Sequence, residues 1–202
     1  MSKARPPLLL ASASPYRRQL LQAAGLCFEV CPAEVDEAAI KGRLRRTGTD
    51  AGAVAAVLAR TKAEAVSVGR ADAIIIGADQ VLSCDGELFD KPGDLAGARR
   101  QLERLRGRRH QLHSAVALAA NSQLLWQHTA VASLLMRPFS DAFLDHYLTA
   151  VGPAITTSVG GYQIEGLGIQ LFDEVDGDGA TIIGLPLLPL LRELRLRGLI
   201  AA

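Results

Sequence analysis

Ala73-Ile74-Ile75-Ile76-Gly77-Ala78 is an unbroken apolar run closed by the polar pair Asp79-Gln80. A short run without polar alternation reads as a strand covered on both faces, the kind found in the middle of a sheet with helices packed against it. The neighbouring segments fit that reading. Leu8 to Ala11 is a short apolar strand, followed by Ser12-Ala13-Ser14-Pro15 and then by helical spacing from Tyr16 to Ala24 before Gly25. Ser14 is placed to cap that helix, with Pro15 in its first turn. Residues 26–31 read as a second strand and residues 35–46 as a polar connection. Residues 50–68, rich in Ala and Val, form an amphipathic helix.

Farther along, Cys84-Asp85-Gly86-Glu87 turns the chain between two short strands, and Asp94 to Arg106 is a charged helix stopped by Gly107. Residues 109–119 and 124–136 make a hairpin. Ser140 caps a helix reaching Ala150, with Asp141 at its positive end. Gly160-Gly161 opens the stretch Tyr162 to Gly166, and Thr181 to Pro186 leads into a final helix from Leu187 to Arg197. Strands interleaved with helices and one long hairpin predict an α/β fold with a mixed sheet, in one domain over residues 1–202.

Composition narrows the functional classes. Hydrophobic residues at 49% and charged residues at 21% exclude a disordered or charge-driven linker. A chain of 202 residues buries roughly 70% of its unfolded surface, so it needs neither disulfides nor a structural metal for its core. A formal net charge of +1 removes the global electrostatic footprint of a nucleic-acid or membrane-surface protein. Lys3, Arg5 and Leu8-Leu9-Leu10 mimic an export signal, but the apolar stretch is too short and Pro6-Pro7 interrupt it. The charge-free stretch from His110 to Met136 is broken by Asn121-Ser122-Gln123 and reads as two strands, not a membrane span. Three cysteines, Cys27, Cys31 and Cys84, are expected as buried reduced thiols in a cytoplasmic protein.

Three places combine polarity with structural punctuation. Ser12-Ala13-Ser14-Pro15-Tyr16-Arg17-Arg18 brings hydroxyls, a helix start and two guanidiniums together, a receptor for a polyphosphate or else a capped helix with surface arginines. It is not a Walker loop, since no G-x-x-x-x-G-K-[ST] occurs in the chain. Asp79 is expected where a central strand ends, the usual place for ligands in open α/β sheets. A carboxylate there needs a cation nearby or serves as a general base, and Lys91-Pro92 can return positive charge to it. Glu34-Val35-Asp36-Glu37 could join Asp79 around a hard divalent cation, or be a solvated acidic loop. His110, His113 and His128 are scattered along strands with no Ser-His-Asp or HExxH arrangement.

These residues carry a resemblance. Leu9-Leu10-Ala11-Ser12-Ala13-Ser14-Pro15-Tyr16-Arg17-Arg18 with Leu20-Leu21, then Glu34-Val35-Asp36-Glu37, Arg60-x-Lys62-Ala63, Gly77-Ala78-Asp79-Gln80, Lys91-Pro92 and Gly184-Leu185-Pro186, resemble the Maf nucleoside triphosphate pyrophosphatases in order and spacing from Leu8 to Gly198. The resemblance implies an elongated α/β fold of two lobes, with a twisted mixed sheet, a central cleft and kinship to inosine triphosphatases. It also implies a homodimer and a divalent metal, Mg²⁺ or Mn²⁺. It implies hydrolysis of a nucleoside triphosphate to the monophosphate and pyrophosphate. By the same resemblance Asp79 is the general base and Glu37 a catalytic or metal-linked carboxylate, so that Glu37 and Asp79 are the metal pair. Ser12, Arg17, Arg18, Lys62 and Lys91 hold the triphosphate.

Specificity follows from the same likeness. Gln80 and Glu165 resemble the branch that prefers N7-methyl-GTP over the branch that takes dTTP and UTP. A carboxylate at Glu165 can accept from the N1–H and N2–H₂ edge of guanine, whereas a uracil or thymine edge offers one such donor. Tyr16 can stack on a base, and a cationic methylated purine adds cation–π attraction. The alternatives are a dTTP/UTP pyrophosphatase, a nucleotide-binding regulator of cell division without turnover, and an RNA-binding module using the Arg-rich segments, which the balanced charge and few aromatics oppose.

Overall fold

A computed structural model describes residues 5–201, so Lys3 lies outside the described residues. Among the described residues seven strands and seven α-helices begin with the order β1 (Leu8–Leu10), α1 (Pro15–Ala23), β2 (Glu29–Val30), α2 (Glu37–Arg46), α3 (Ala51–Ser67), β3 (Ile74–Cys84), β4 (Glu87–Phe89), α4 (Leu95–Leu105), β5 (Arg109–Ala120), β6 (Gln123–Met136) and α5 (Asp141–Val151). Three short 3-10 helices follow between Gly152 and Leu171, then β7 (Phe172–Asp176), α6 (Gly179–Ile183) and α7 (Leu187–Leu196). The sheet has the order β2-β1-β3-β5-β6-β7, with β4 paired to β3. β1 runs parallel to both β2 and β3, while β3–β4 and β6–β7 are antiparallel, so the sheet is mixed.

The caps expected at Ser14 and Ser140 are in place, and Asp94, expected as the first residue of its helix, is a third. Ser14, Asp94 and Ser140 each accept from the backbone N–H three residues on and start α1, α4 and α5. The segment expected as a polar connection is instead helix α2. Asp36 caps it by accepting from Ala39 N, Glu37 stands at its positive end and Arg43, Arg45 and Arg46 at its negative end, which suits the helix dipole. No residue of α2 is buried, so it carries no apolar stripe for a sequence to display. β3 also differs from expectation: it continues through Asp79 to Cys84, so Asp79 lies inside the strand and not at its end. Cys84 is buried, but Cys27 is exposed and Cys31 half-buried, which corrects the expectation of three buried thiols; all three are free.

The chain divides into two compact units. The first holds the residues up to Gln80, Ser114–Ala130 and the chain from Gly179 onward; the second holds Val81–His113 and Val131–Asp178. In the first unit Leu10, Ile76, Ala78, Val116 and Leu118 of three strands pack with Leu21 of α1 and with Leu190 and Leu194 of α7. α3 buries Val54, Ala55, Leu58, Ala59, Lys62, Ala63 and Val66, the i, i+3, i+4 stripe expected of it, with one lysine among the apolar positions. The second unit packs His110, Tyr162 and Phe172 as an aromatic cluster, with ring centroids 4.9 to 5.8 Å apart.

Candidate active site

The lysine in the apolar stripe of α3 is explained by what it meets on β3. Gly77 leaves out a side chain where the two elements touch: a Cβ there would lie 2.2 Å from the Ala59 carbonyl oxygen and 2.7 Å from the Ala63 nitrogen. The helix therefore approaches the strand more closely than any larger residue would allow. Strand residues two apart share a face, so Asp79 projects from the same side as Gly77, towards α3. Lys62 Nζ donates to Asp79 Oδ1 at 2.5 Å and lies 2.7 Å from Glu37 Oε1 on α2. Lys62 is 7% exposed and Asp79 5%. Two such groups stay buried only as a pair, because an isolated buried charge costs several kcal/mol.

The pairing leaves one oxygen over. Asp79 Oδ2 is buried and has no hydrogen-bond partner among the described residues. Buried carboxylate oxygens are normally satisfied, so Asp79 Oδ2 is an acceptor still open to a further donor or cation. Glu37 differs in environment, with its side chain 43% exposed. Lys62 is thus shared between a sealed carboxylate and an open one. Two carboxylates suit a hard cation that draws its other ligands from phosphate oxygens and water. No group of three or more His, Cys, Asp and Glu side chains able to hold a metal exists among the described residues.

Arg17 approaches the same strand from α1. Its Nε donates to the Gly184 carbonyl at 2.9 Å, and its Nη1 to the Ala78 carbonyl at 2.9 Å and to Ser12 Oγ at 3.1 Å. Three of the five guanidinium N–H groups are thereby committed, and the two on Nη2 are those left for a ligand. Burial pulls the Arg17 pKa below its ordinary value, partly opposed by the negative charges of Asp79 and then Glu37. Ser12 Oγ also accepts from Ser14 N, and Ser14 Oγ from Arg17 N, so the loop after β1 is braced on the residues that start α1.

The structure thus gathers Ser12, Arg17, Glu37, Lys62 and Asp79 in the first unit. Arg18 is exposed and Tyr16 half-buried on α1. Gln80 points to the opposite face of β3 from Asp79 and donates through Nε2 to Ser114 Oγ, Thr181 O and Ile182 O. Lys91 and Glu165 belong to the second unit, where both are exposed. Two parts of the site were not foreseen. Ser114 sits in the charge-free hairpin and looks like any small strand residue. The carbonyls of Ala78, Thr181, Ile182 and Gly184 act through backbone atoms that every residue possesses.

Similarity to known proteins runs along nearly the full length of the chain. The family described as Maf-like protein matches residues 7–197. A protein of Rhizobium johnstonii named 7-methyl-GTP pyrophosphatase is 49% identical over 195 residues, covering 96% of this chain and 98% of its own. One of the same name from Rhizobium meliloti is 46% identical over 198 residues, covering 98% and 100%. A nucleoside triphosphate pyrophosphatase of Rhodospirillum rubrum is 48% identical over 200 residues, covering 99% of each chain.

Proposed function

The chain belongs to the Maf-like family, and from that premise we propose that it hydrolyses a nucleoside triphosphate to the monophosphate and pyrophosphate, with N7-methyl-GTP or another modified purine nucleotide preferred. The observation that carries this reading is the buried Asp79, one oxygen held by Lys62 and the other without a partner. A carboxylate in that state is oriented by its cation and retains an acceptor for the proton of an incoming water. Water attacks the α-phosphorus, an O–P bond forms, its proton passes to Asp79, and the bond to the β-phosphate oxygen breaks. Arg17, through its Nη2, and Lys62 oppose the charge that develops on the leaving pyrophosphate. Ser12 supplies a hydroxyl beside Arg17, and Lys91 and Arg18 are the further residues proposed to hold the triphosphate.

A divalent cation, Mg²⁺ or Mn²⁺, fits Glu37 and Asp79 and would supply charge neutralisation to the phosphate oxygens. The purine preference rests on the names carried by several relatives and on Glu165, whose carboxylate suits the guanine edge. Tyr16 is the stacking partner for the base. No described helix is long and apolar enough to cross a membrane. The reading places the enzyme in the cytoplasm as a homodimer acting on free nucleotides and not on nucleic acid.

Pyrophosphate release measured with Mg²⁺ across N7-methyl-GTP, GTP, dTTP, UTP and CTP tests this. The expected result is the largest kcat/KM for N7-methyl-GTP. Asp79→Asn should lower kcat by about 10³-fold while nucleotide still binds. A full rate in that variant removes Asp79 from the role of base, and binding without turnover across the panel would favour a nucleotide-binding regulator.

A further inference from the structure

α6 is a five-residue helix, and its last carbonyls are the groups a helix leaves without partners. Here they are held by side chains from two strands. Ser114 Oγ, fully buried on β5, donates to Thr181 O at 2.7 Å. Gln80 Nε2 on β3 lies 2.9 Å from Ser114 Oγ, 3.2 Å from Thr181 O and 2.9 Å from Ile182 O. Two of those three atoms are carbonyl oxygens, which only accept, so the amide is oriented with its nitrogen inward. The same turn closes with Gly184 N donating to Ala180 O and Thr181 O, and Leu185 N donating to Ala180 O. Gly184 adopts φ +115°, and its carbonyl is the acceptor for Arg17 Nε. A Cβ at Gly184 would stand 3.5 Å from Arg17 Nη2 and 3.6 Å from Gln80 Cδ, so the three residues are in direct contact range.

We propose that Ser114 and Gln80 are positioning residues for Arg17: they clamp the end of α6, fix the Gly184 carbonyl, and so aim the two free N–H groups of Arg17 at a phosphate of the substrate. Gln80 thus acts on Arg17 from the face of β3 opposite Asp79, through the end of α6. The inference rests on the reading of Arg17 as a phosphate ligand, made above. It assigns a role to Ser114 that neither its residue type nor its position in the apolar half of β5 announces. The clamp is a chain of direct contacts from Ser114 through Thr181 and Gly184 to the guanidinium, so loosening either end moves the charge.

Binding of inorganic tripolyphosphate with Mg²⁺, followed by calorimetry on the full chain, tests the clamp independently of turnover. Ser114→Ala and Gln80→Ala should each weaken binding by roughly tenfold, because a guanidinium displaced by an ångström loses its aim. Ser114→Thr, which keeps the hydroxyl, should restore it. Arg17→Ala should weaken binding more, and Arg17→Ala combined with Ser114→Ala should be no weaker than Arg17→Ala alone. Hydrogen exchange at the Gly184 and Leu185 amides should quicken in Ser114→Ala. An unchanged constant in Ser114→Ala, or a double variant as weak as the product of the singles, overturns the clamp while leaving Arg17 as a phosphate ligand. No binding by the unaltered protein, or an unchanged constant in Arg17→Ala, overturns the phosphate role of Arg17 itself, and the clamp with it.

Discussion

Lys62–Asp79 in the first unit and His110–Tyr162 in the second are both polar pairs withdrawn from water, and they solve the problem of burial in opposite ways. In the second unit His110 Nε2 and Tyr162 Oη meet at 2.8 Å. Burial pulls the imidazole down to about 4 and pushes the phenol far above its ordinary value, with Tyr147 adding to the upward push. Both groups are therefore neutral, and aromatic faces surround them. Lys62 and Asp79 pair at 2.5 Å with one carboxylate oxygen unused and with Glu37 opening the pair towards solvent. Each pair leaves one buried atom without a partner among the described residues, His110 Nδ1 in one and Asp79 Oδ2 in the other, so charge and the half-open Glu37 are what set the Lys62–Asp79 pair apart. Polarity alone does not separate the two, since the histidine and the lysine each take a buried position, one on β5 and one on the apolar stripe of α3.

The largest expected effect comes from breaking the charged pair on one side. Lys62→Met removes the cation and leaves Asp79 buried without compensation, which should cost about 4 kcal/mol of stability at neutral pH. Replacing both partners, as Lys62→Met with Asp79→Leu, should recover most of that loss in urea unfolding and leave no pyrophosphate release. Equal instability of the single and double variants would show that the pair is not what the packing of α3 on β3 depends upon. A stable, fully active Lys62→Met protein would erase the distinction between the two pairs.

Acid separates them next. Unfolded, His110 takes up a proton near its ordinary value of 6.5; folded, it does so only near 4. Between those values the unfolded chain binds more protons, so stability falls as pH drops from 6.5 towards 4 and is regained as pH rises. The difference amounts to about 3 kcal/mol once both states are protonated. His110→Gln cannot titrate. Urea midpoints at several pH values in this window should therefore show the wild-type protein losing its advantage over the variant as pH falls. Parallel curves would mean that His110 is not held neutral by burial.

How much of this was legible in the sequence follows the same division. The apolar run Ile74–Ile76, the stripe of α3 and the caps Ser14 and Ser140 were readable because each is a local pattern of side-chain types. α2 was not, since nothing on it is buried and its end charges resemble a solvated loop. The 3-10 turns between Gly152 and Leu171, and strand β7, carry no clear periodicity. Asp79 could be singled out, but its place inside β3 could not. An acid is tolerated mid-strand here only because Lys62, 17 residues earlier, meets it across a glycine. Ser114 and the α6 carbonyls stayed hidden, since contacts made at such separations by a small hydroxyl and by backbone leave no trace in spacing.

The smallest effect sharpens the neutral side. Tyr162→Phe keeps the ring against Phe172 and removes only the hydroxyl that meets His110. One buried nitrogen then loses its partner, for a loss of about 1–2 kcal/mol in thermal or urea unfolding. Adding His110→Leu removes the stranded nitrogen as well, and most of the stability should return, because two apolar groups of similar shape can replace a neutral hydrogen-bonded pair at little cost. The charged pair is expected to recover stability in the same way yet lose its chemistry, so the two double variants form a matched test. If Tyr162→Phe with His110→Leu stays as unstable as Tyr162→Phe alone, the hydrogen bond is not the source of the loss. The second unit would then hold its histidine for a reason beyond packing.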